Sequence, residues 1–172
     1  MFIAMTATPF DLETPLGQRR AIIKWGGGGV EMVAAWGVQA GPTSNRPFTL
    51  VRAEGRTFPT HRCLIPASEF RLRSRGRAYS FSLADGDWFY FAGIWRPAKA
   101  DWPESYAVLT VAANDDVASY HDRQMAVLRR GQRLDWLDGL MSEDELLRSL
   151  PAGSFRVKVD RPAKAHQGAL AL

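Results

Sequence analysis

"AYSFSLADGDWFYFAGIW", residues 78–95, decides the fold class. Tyr79, Phe81 and Leu83 alternate with Ala and Ser, and the run after "DGD" is dense in aromatics, as suits a pleated, half-buried surface. The two halves read as strands joined by a tight turn, which predicts an antiparallel hairpin over 78–95. "SYAVLTVAA" (105–113) is apolar at nearly every position, the pattern of a strand covered on both faces, and is expected beside that hairpin.

Outward from this centre the chain continues to read as strands. "AIIKW" (21–25) and "VEMVAAW" (30–36) flank "GGGG" (26–29), which suggests a hairpin loop. The glycines do not make a phosphate loop, because no Lys-Ser/Thr follows them and no helical pattern opens. "RPFTLV" (46–51), "HRCLIPA" (61–67) and "SFRVKV" (154–159) are further strands. "DDVASYH" suits one or two helical turns, and short helices are expected from Arg130 to Leu140 and from Ser142 to Leu150. Ser142 followed three residues later by Glu145 is a capping-box signature, and Pro151 closes that helix. With no repeat or linker, the expectation is one mixed domain over 1–172, α+β and β-rich, of mostly antiparallel strands with a few short helices.

Composition narrows the chemistry. No run approaches the ~20 apolar residues of a membrane span, and "MFIAMTATPF" lacks the charged and apolar regions of a leader, so a cytoplasmic protein is expected. Cys63 is the single cysteine, which excludes an internal disulfide and fits a reducing compartment. Pairing of Cys63 with His121 as a nucleophile is conceivable, but "RCLIPA" reads as a core strand in which cysteine is a small hydrophobe. His61, His121 and His166 lie far apart with no second ligand at metal-binding spacing, so neither metal nor cofactor is expected.

Charge is mildly basic, 22 Lys+Arg against 18 Asp+Glu, which permits a polyanionic partner without demanding one. "RLRSRGR" (71–77) sets Arg71, Arg73, Arg75 and Arg77 at period two. On an extended strand they share a face at ~6.6 Å intervals, a stripe able to track phosphates. "SRGR" is equally good turn chemistry, so a solvated hairpin end is the competing reading. "SYHDRQMAVL" (119–128) packs His121, Asp122 and Arg123 together before an apolar run.

Several segments, in this order and spacing, resemble one family. They are "VRAEGRTF" (51–58), "RCLIPASEF" (62–70), "FYFAGIW" (89–95), "AVLTVAAND" (107–115) and "HDRQMAVL" (121–128). Together they resemble the SRAP family of SOS response-associated peptidase-like proteins. "AAWGVQAG" (34–41) is similar to its tryptophan-glycine segment and "VDRPAKAHQG" (159–168) to its C-terminal end, so the likeness covers roughly residues 30–168. It implies a pseudo-barrel around a basic channel for single-stranded DNA. It also implies an N-terminal cysteine whose thiol and amine close on an abasic-site aldehyde as a thiazolidine, helped by an asparagine, a glutamate and a histidine.

Carried over residue by residue, the histidine falls on His121, and Arg52 and Arg123 match phosphate-binding arginines. The asparagine position holds Leu50, the glutamate position Leu72, and position 2 is Phe2. Leucine moves no proton and phenylalanine supplies no thiol. Glu69, three residues before Leu72, projects to the opposite face of a strand. Arg71 and Arg73 flank the lost glutamate, and Trp36 is a candidate to stack on an unpaired base. The resulting expectation is a monomer that binds single-stranded or abasic DNA through Arg52, Arg123, Arg71, Arg73 and Trp36. Two alternatives stand beside it: a lyase using the Met1 amine with His121, and an interaction protein reusing the fold.

Overall fold

One long strand organises the molecule. The computed structural model describes residues 7–25, 30–39 and 46–160; the glycine run, Met1, Phe2 and His166 lie outside them. Its eleven strands are β1 (Thr8–Asp11), β2 (Arg19–Lys24), β3 (Val30–Trp36), β4 (Leu50–Arg52), β5 (Arg62–Ser74), β6 (Arg77–Leu83), β7 (Phe89–Arg96), β8 (Ser105–Ala112), β9 (Arg123–Met125), β10 (Val127–Arg129) and β11 (Phe155–Val159). Three short helices complete it: α1 (Asp115–Ala118), α2 (Arg133–Leu137) and α3 (Glu143–Leu146). The path β5-β7-β8-β3-β2 returns to β5, closing a five-stranded barrel, with the other strands attached outside the ring. The expected β-rich pseudo-barrel is present.

β5 supports four neighbours because it changes partners midway. Along one edge it pairs with β2 at Cys63–Leu64 and then, in parallel, with β1 from Ala67 to Arg71. Along the other it pairs with β7 over Arg62–Ala67 and with β6 over Phe70–Ser74. Pro66, which has no N–H to give, falls in the gap between β2 and β1. Arg20 fills that gap, donating to the carbonyls of Pro66 (2.8 Å), Thr8 (2.8 Å) and Pro9 (3.1 Å). The register shifts just beyond Pro66, so the inward-facing set passes from Cys63, Ile65 and Ala67 to Phe70 and Leu72.

Residues 78–95 are therefore not a hairpin. β6 and β7 are both antiparallel to β5 and lie end to end along one of its edges, with no ladder between them. The turn around Gly86 is an excursion between collinear strands, pinned by Asp85–Arg129 (2.8 Å) and Asp87–Arg130 (3.0 Å) ion pairs. The neighbour at 105–113 is as expected, β7 pairing with β8. The hairpin here is β5–β6: Ser74 pairs with Arg77 around Arg75 and Gly76, both at positive φ (51° and 77°), as a two-residue type I′ loop needs. That turn breaks the arginine stripe, leaving Arg71 and Arg73 on β5 and Arg77 on the returning strand.

Alternation divides the core in two. Phe89 and Phe91 of β7 with Tyr106 and Val108 of β8 fill the barrel, where Phe10, Trp36 and Phe70 join them. Tyr90, Ala92, Ala107 and Leu109 face outward, under Trp136 of α2 and Leu146 of α3. Both faces of β7 and β8 are thus covered, which explains their near-continuous apolar sequence. Gly93 sits where the barrel wall is tightest. A Cβ there would lie 2.4 Å from Ile65 Cδ1 and 2.8 Å from the Ala107 carbonyl oxygen. Gly93→Ala should cost ~1–3 kcal/mol of overpacking, read as a lower urea midpoint at unchanged m-value.

Candidate functional site

The candidate residues meet at the C-terminal end of β8. β4 runs parallel to it, with Leu50 opposite Val108 and Arg52 opposite Thr110; β9 lies antiparallel on the other edge, with Arg123 opposite Ala112. Residues paired across a ladder share a face. Leu50 and Arg52 therefore project on the side of Val108 and Thr110, the side that lines the barrel, and both are exposed. Among the described residues the Arg52 side chain makes no hydrogen bond or ion pair.

Arg123 is held differently from the expectation. Its guanidinium crosses β8 to Glu54 in a two-pronged pair (2.6 and 2.9 Å), and on the way donates to the carbonyl (2.8 Å) and hydroxyl (2.9 Å) oxygens of Thr110. Both of its terminal nitrogens are thus engaged in tying Glu54 to the end of β8. Glu54 answers to this clamp: the Arg123 hydrogen bonds, outweighing burial, hold its carboxyl down to about 2. The sign follows. A depressed carboxylate stabilises the fold above the ordinary glutamate value of ~4.3, and loses that contribution as pH falls through it. Glu54→Gln should therefore be less stable than wild type at neutral pH, and the gap should close between about pH 4 and pH 2 in urea melts followed across that range.

His121 caps the turn into β9. Its Nδ1 lies 3.0 Å from both the amide nitrogen and the carbonyl oxygen of Arg123 and 3.3 Å from Asp122 Oδ1. A neutral ring accepts the Arg123 N–H there, and a protonated one donates to the carbonyl, so Nε2 is the nitrogen left for chemistry. The turn itself is built from α1. Asn114 Oδ1 caps Val117 N–H (3.1 Å), its own N–H goes to Gln124 Oε1 (2.9 Å), and Asp116 accepts the N–H groups of Gly153 and Phe155. Tyr120, beside His121, packs its ring 4.4 Å from Tyr79, the β6 partner of Leu72. Leu72 is 3% exposed, inside the barrel core.

Other expected members are elsewhere. Trp36 is 1% exposed, its ring 5.1 Å from those of both Phe10 and Tyr106, so it is a core residue and no stacking platform. Arg71 and Arg73 project from the face of β5 opposite Leu72 and do not join Arg52. Arg71 is paired with Asp160 (3.5 Å) and Arg73 with Glu13 (2.9 Å). Glu69 lies on that outer face too, 4.0 Å from Arg71, as its odd offset from Leu72 requires. Cys63 is fully buried, and burial pushes its thiol well above the ordinary range. Among the described residues no group of His, Cys, Asp or Glu is arranged to hold a metal, and no helix is long and apolar enough to cross a membrane. Glu54 and Thr110 were not legible as site residues; the one signal was Glu54 lying two residues beyond Arg52.

A family model for SOS response associated peptidase (SRAP) matches residues 53–159, a span that holds Glu54, Leu72, His121 and Arg123. The chain belongs to the SRAP family. Solved structures share this fold. A protein from Bordetella bronchiseptica superposes with a TM-score of 0.69 at 21% identity, covering 91% of this chain and 92% of its own. One from Bacteroides thetaiotaomicron gives 0.68 at 20% identity, covering 84% and 75%. None of the curated proteins compared matches. Leu50 lies on the barrel side of β4 and Leu72 within the barrel core.

Proposed function

We propose that this SRAP protein binds single-stranded or abasic DNA at the mouth of the barrel beside β4, β8 and β9, without forming the family's thiazolidine crosslink. The observation that carries this reading is Arg52: an exposed guanidinium with no carboxylate partner among the described residues, on the barrel side of β4. An exposed arginine with no acid beside it is free to pair with a phosphate. Leu50, 39% exposed beside it, offers apolar contact to a sugar or base edge. His121 Nε2 stands at the same end of β8, while the sole thiol of the sequence, Cys63, is buried in the wall.

The expected result is a single-stranded oligonucleotide affinity that falls steeply with salt, measured by fluorescence anisotropy. Arg52→Ala should weaken binding of all sequences alike and flatten the log–log salt slope by about 0.7, one single-strand phosphate contact. Arg73→Ala, on the opposite face of β5, should leave the slope unchanged. No binding at low salt, or a slope insensitive to Arg52, would reject the reading.

A further inference from the structure

The opposite end of β8 carries a second concavity that the DNA reading does not use. It is a groove of ≈ 690 Å³, within the ~300–1,000 Å³ of small-molecule sites. Ser105 opens β8 here, five residues before Thr110, so along the strand the two sites stand about 17 Å apart.

Its walls are aromatic and fixed in place. Trp95 holds its indole against the Lys24 ammonium (3.6 Å to the ring centroid) and the tilted His61 imidazole (4.8 Å). His61 reaches that position from a left-handed backbone (φ 60°), which histidine adopts more readily than most non-glycine residues. Trp102 is anchored by Nε1 to the Gly37 carbonyl (3.1 Å), in a turn closed by reciprocal Lys99 and Trp102 backbone bonds.

The polar groups point to a ligand. Arg96 and Lys99 line the groove, no carboxylate does, and among the described residues neither cation is ion-paired. Glu104, the residue before Ser105, is paired with Lys24 at 3.1 Å. Ser105 lines it too and is fully buried, yet its Oγ has no hydrogen-bond partner. A buried hydroxyl without a partner is costly, and one facing a cavity is satisfied by whatever fills it.

We propose that this groove is a second ligand site, for a nucleotide: the base against His61, Trp95 and Trp102 with an edge on Ser105 Oγ, the phosphate on Lys99 and Arg96. Rigid aromatic walls, an acid-free pair of cations and one buried hydroxyl together match a planar heterocycle carrying an anion. A free mononucleotide and a terminal nucleotide of a strand share this chemistry.

Titration calorimetry of the whole chain with deoxyadenosine monophosphate, and separately with an oligodeoxyadenylate, tests it. Saturable binding is expected, reduced about tenfold by Lys99→Glu, as for the loss of one charge-assisted hydrogen bond. Ser105→Ala, which removes an unsatisfied hydroxyl and so does not threaten folding, should weaken it less. Arg52→Ala should leave mononucleotide binding unchanged, which separates this site from the DNA reading. Tight binding of the monophosphate identifies a free nucleotide as the occupant, and binding of the oligonucleotide alone, still sensitive to Lys99→Glu, identifies a strand end; both support the site. The proposal is overturned if neither probe binds, if binding follows Arg52 and not Lys99, if deoxyadenosine without phosphate binds equally well, or if an acidic aromatic peptide binds more tightly than either probe.

Discussion

Arg62→Ala should lower the stability of this protein by ~3–5 kcal/mol, the cost of breaking a buried ion pair from one side. The Arg62 side chain is buried and every part of it is used. Nε donates to the Phe58 carbonyl (2.8 Å), one terminal nitrogen to the Trp136 carbonyl (3.0 Å), and the other to Glu143 (2.8 Å). The guanidinium also lies 4.1 Å from the Trp136 ring centroid, and Trp136 Nε1 in turn donates to the Cys63 carbonyl (2.9 Å). Glu143 closes the circuit by accepting the Phe58 N–H (2.7 Å). Alanine would leave these acceptors dry and Glu143 without its counter-charge. The fall in Tm should be on the order of 10 °C by calorimetry. Glu143→Gln keeps an acceptor for Phe58 and should cost less; equal losses for the two would show that the charge, not the hydrogen bonds to carbonyls, governs the network. Because Phe58 and His61 belong to the same loop, the network also shapes the wall of the second groove.

What the sequence disclosed, and what it withheld, divides along local and non-local physics. Strand-forming runs are local, and β3, β7, β8 and β11 lie where alternation and apolar content put them. Partner choice is not local. "DGD" carries good turn chemistry, but whether the next strand folds back or runs on is decided by β5, which offers one edge long enough for both. The same limit misplaced the arginine stripe: period two is meaningful only while the strand lasts, and Arg75–Gly76 turns it. β1 escaped notice because "TPFD" is four residues whose only support is a parallel ladder to β5. β9 and β10 hid in "RQMAVLR", too short to show a period.

The site followed a similar rule. Motif resemblance brought Arg52, His121 and Arg123 to one end of β8, but it could not say which cation was already occupied. That depends on Glu54 meeting Arg123 across the intervening strand, 69 residues away in sequence. Nor could it say that Trp36 fills the barrel, because a tryptophan in a short apolar run reads alike as core and as platform.

Incubated with an oligonucleotide bearing an abasic site, the protein should form no adduct that survives heat and denaturant. A thiazolidine needs a thiol and an amine on one aldehyde carbon. The only thiol in the sequence is Cys63, fully buried in β5 and with its ionisation suppressed by that burial. Of the three helpers that the resemblance implies, only the histidine remains, as His121, with Leu50 and Leu72 at the other two positions. An imine with an amine of the protein remains chemically open, because it needs no thiol, and borohydride would fix it as a permanent link. With Leu72 where the resemblance implies a glutamate, and Asp122 meeting His121 only at Nδ1, that trapping should also be slight; a positioned acid/base group contributes ~10²–10⁴-fold, and the missing one forfeits gain of that size. Denaturing gels with and without borohydride read both outcomes. A spontaneous, heat-stable band would overturn the binding-only reading outright. Strong trapping, slowed by His121→Ala and abolished by blocking the α-amine, would make the protein a lyase that uses the Nε2 of His121 and would give Arg52 the task of holding the phosphate beside the reacting sugar.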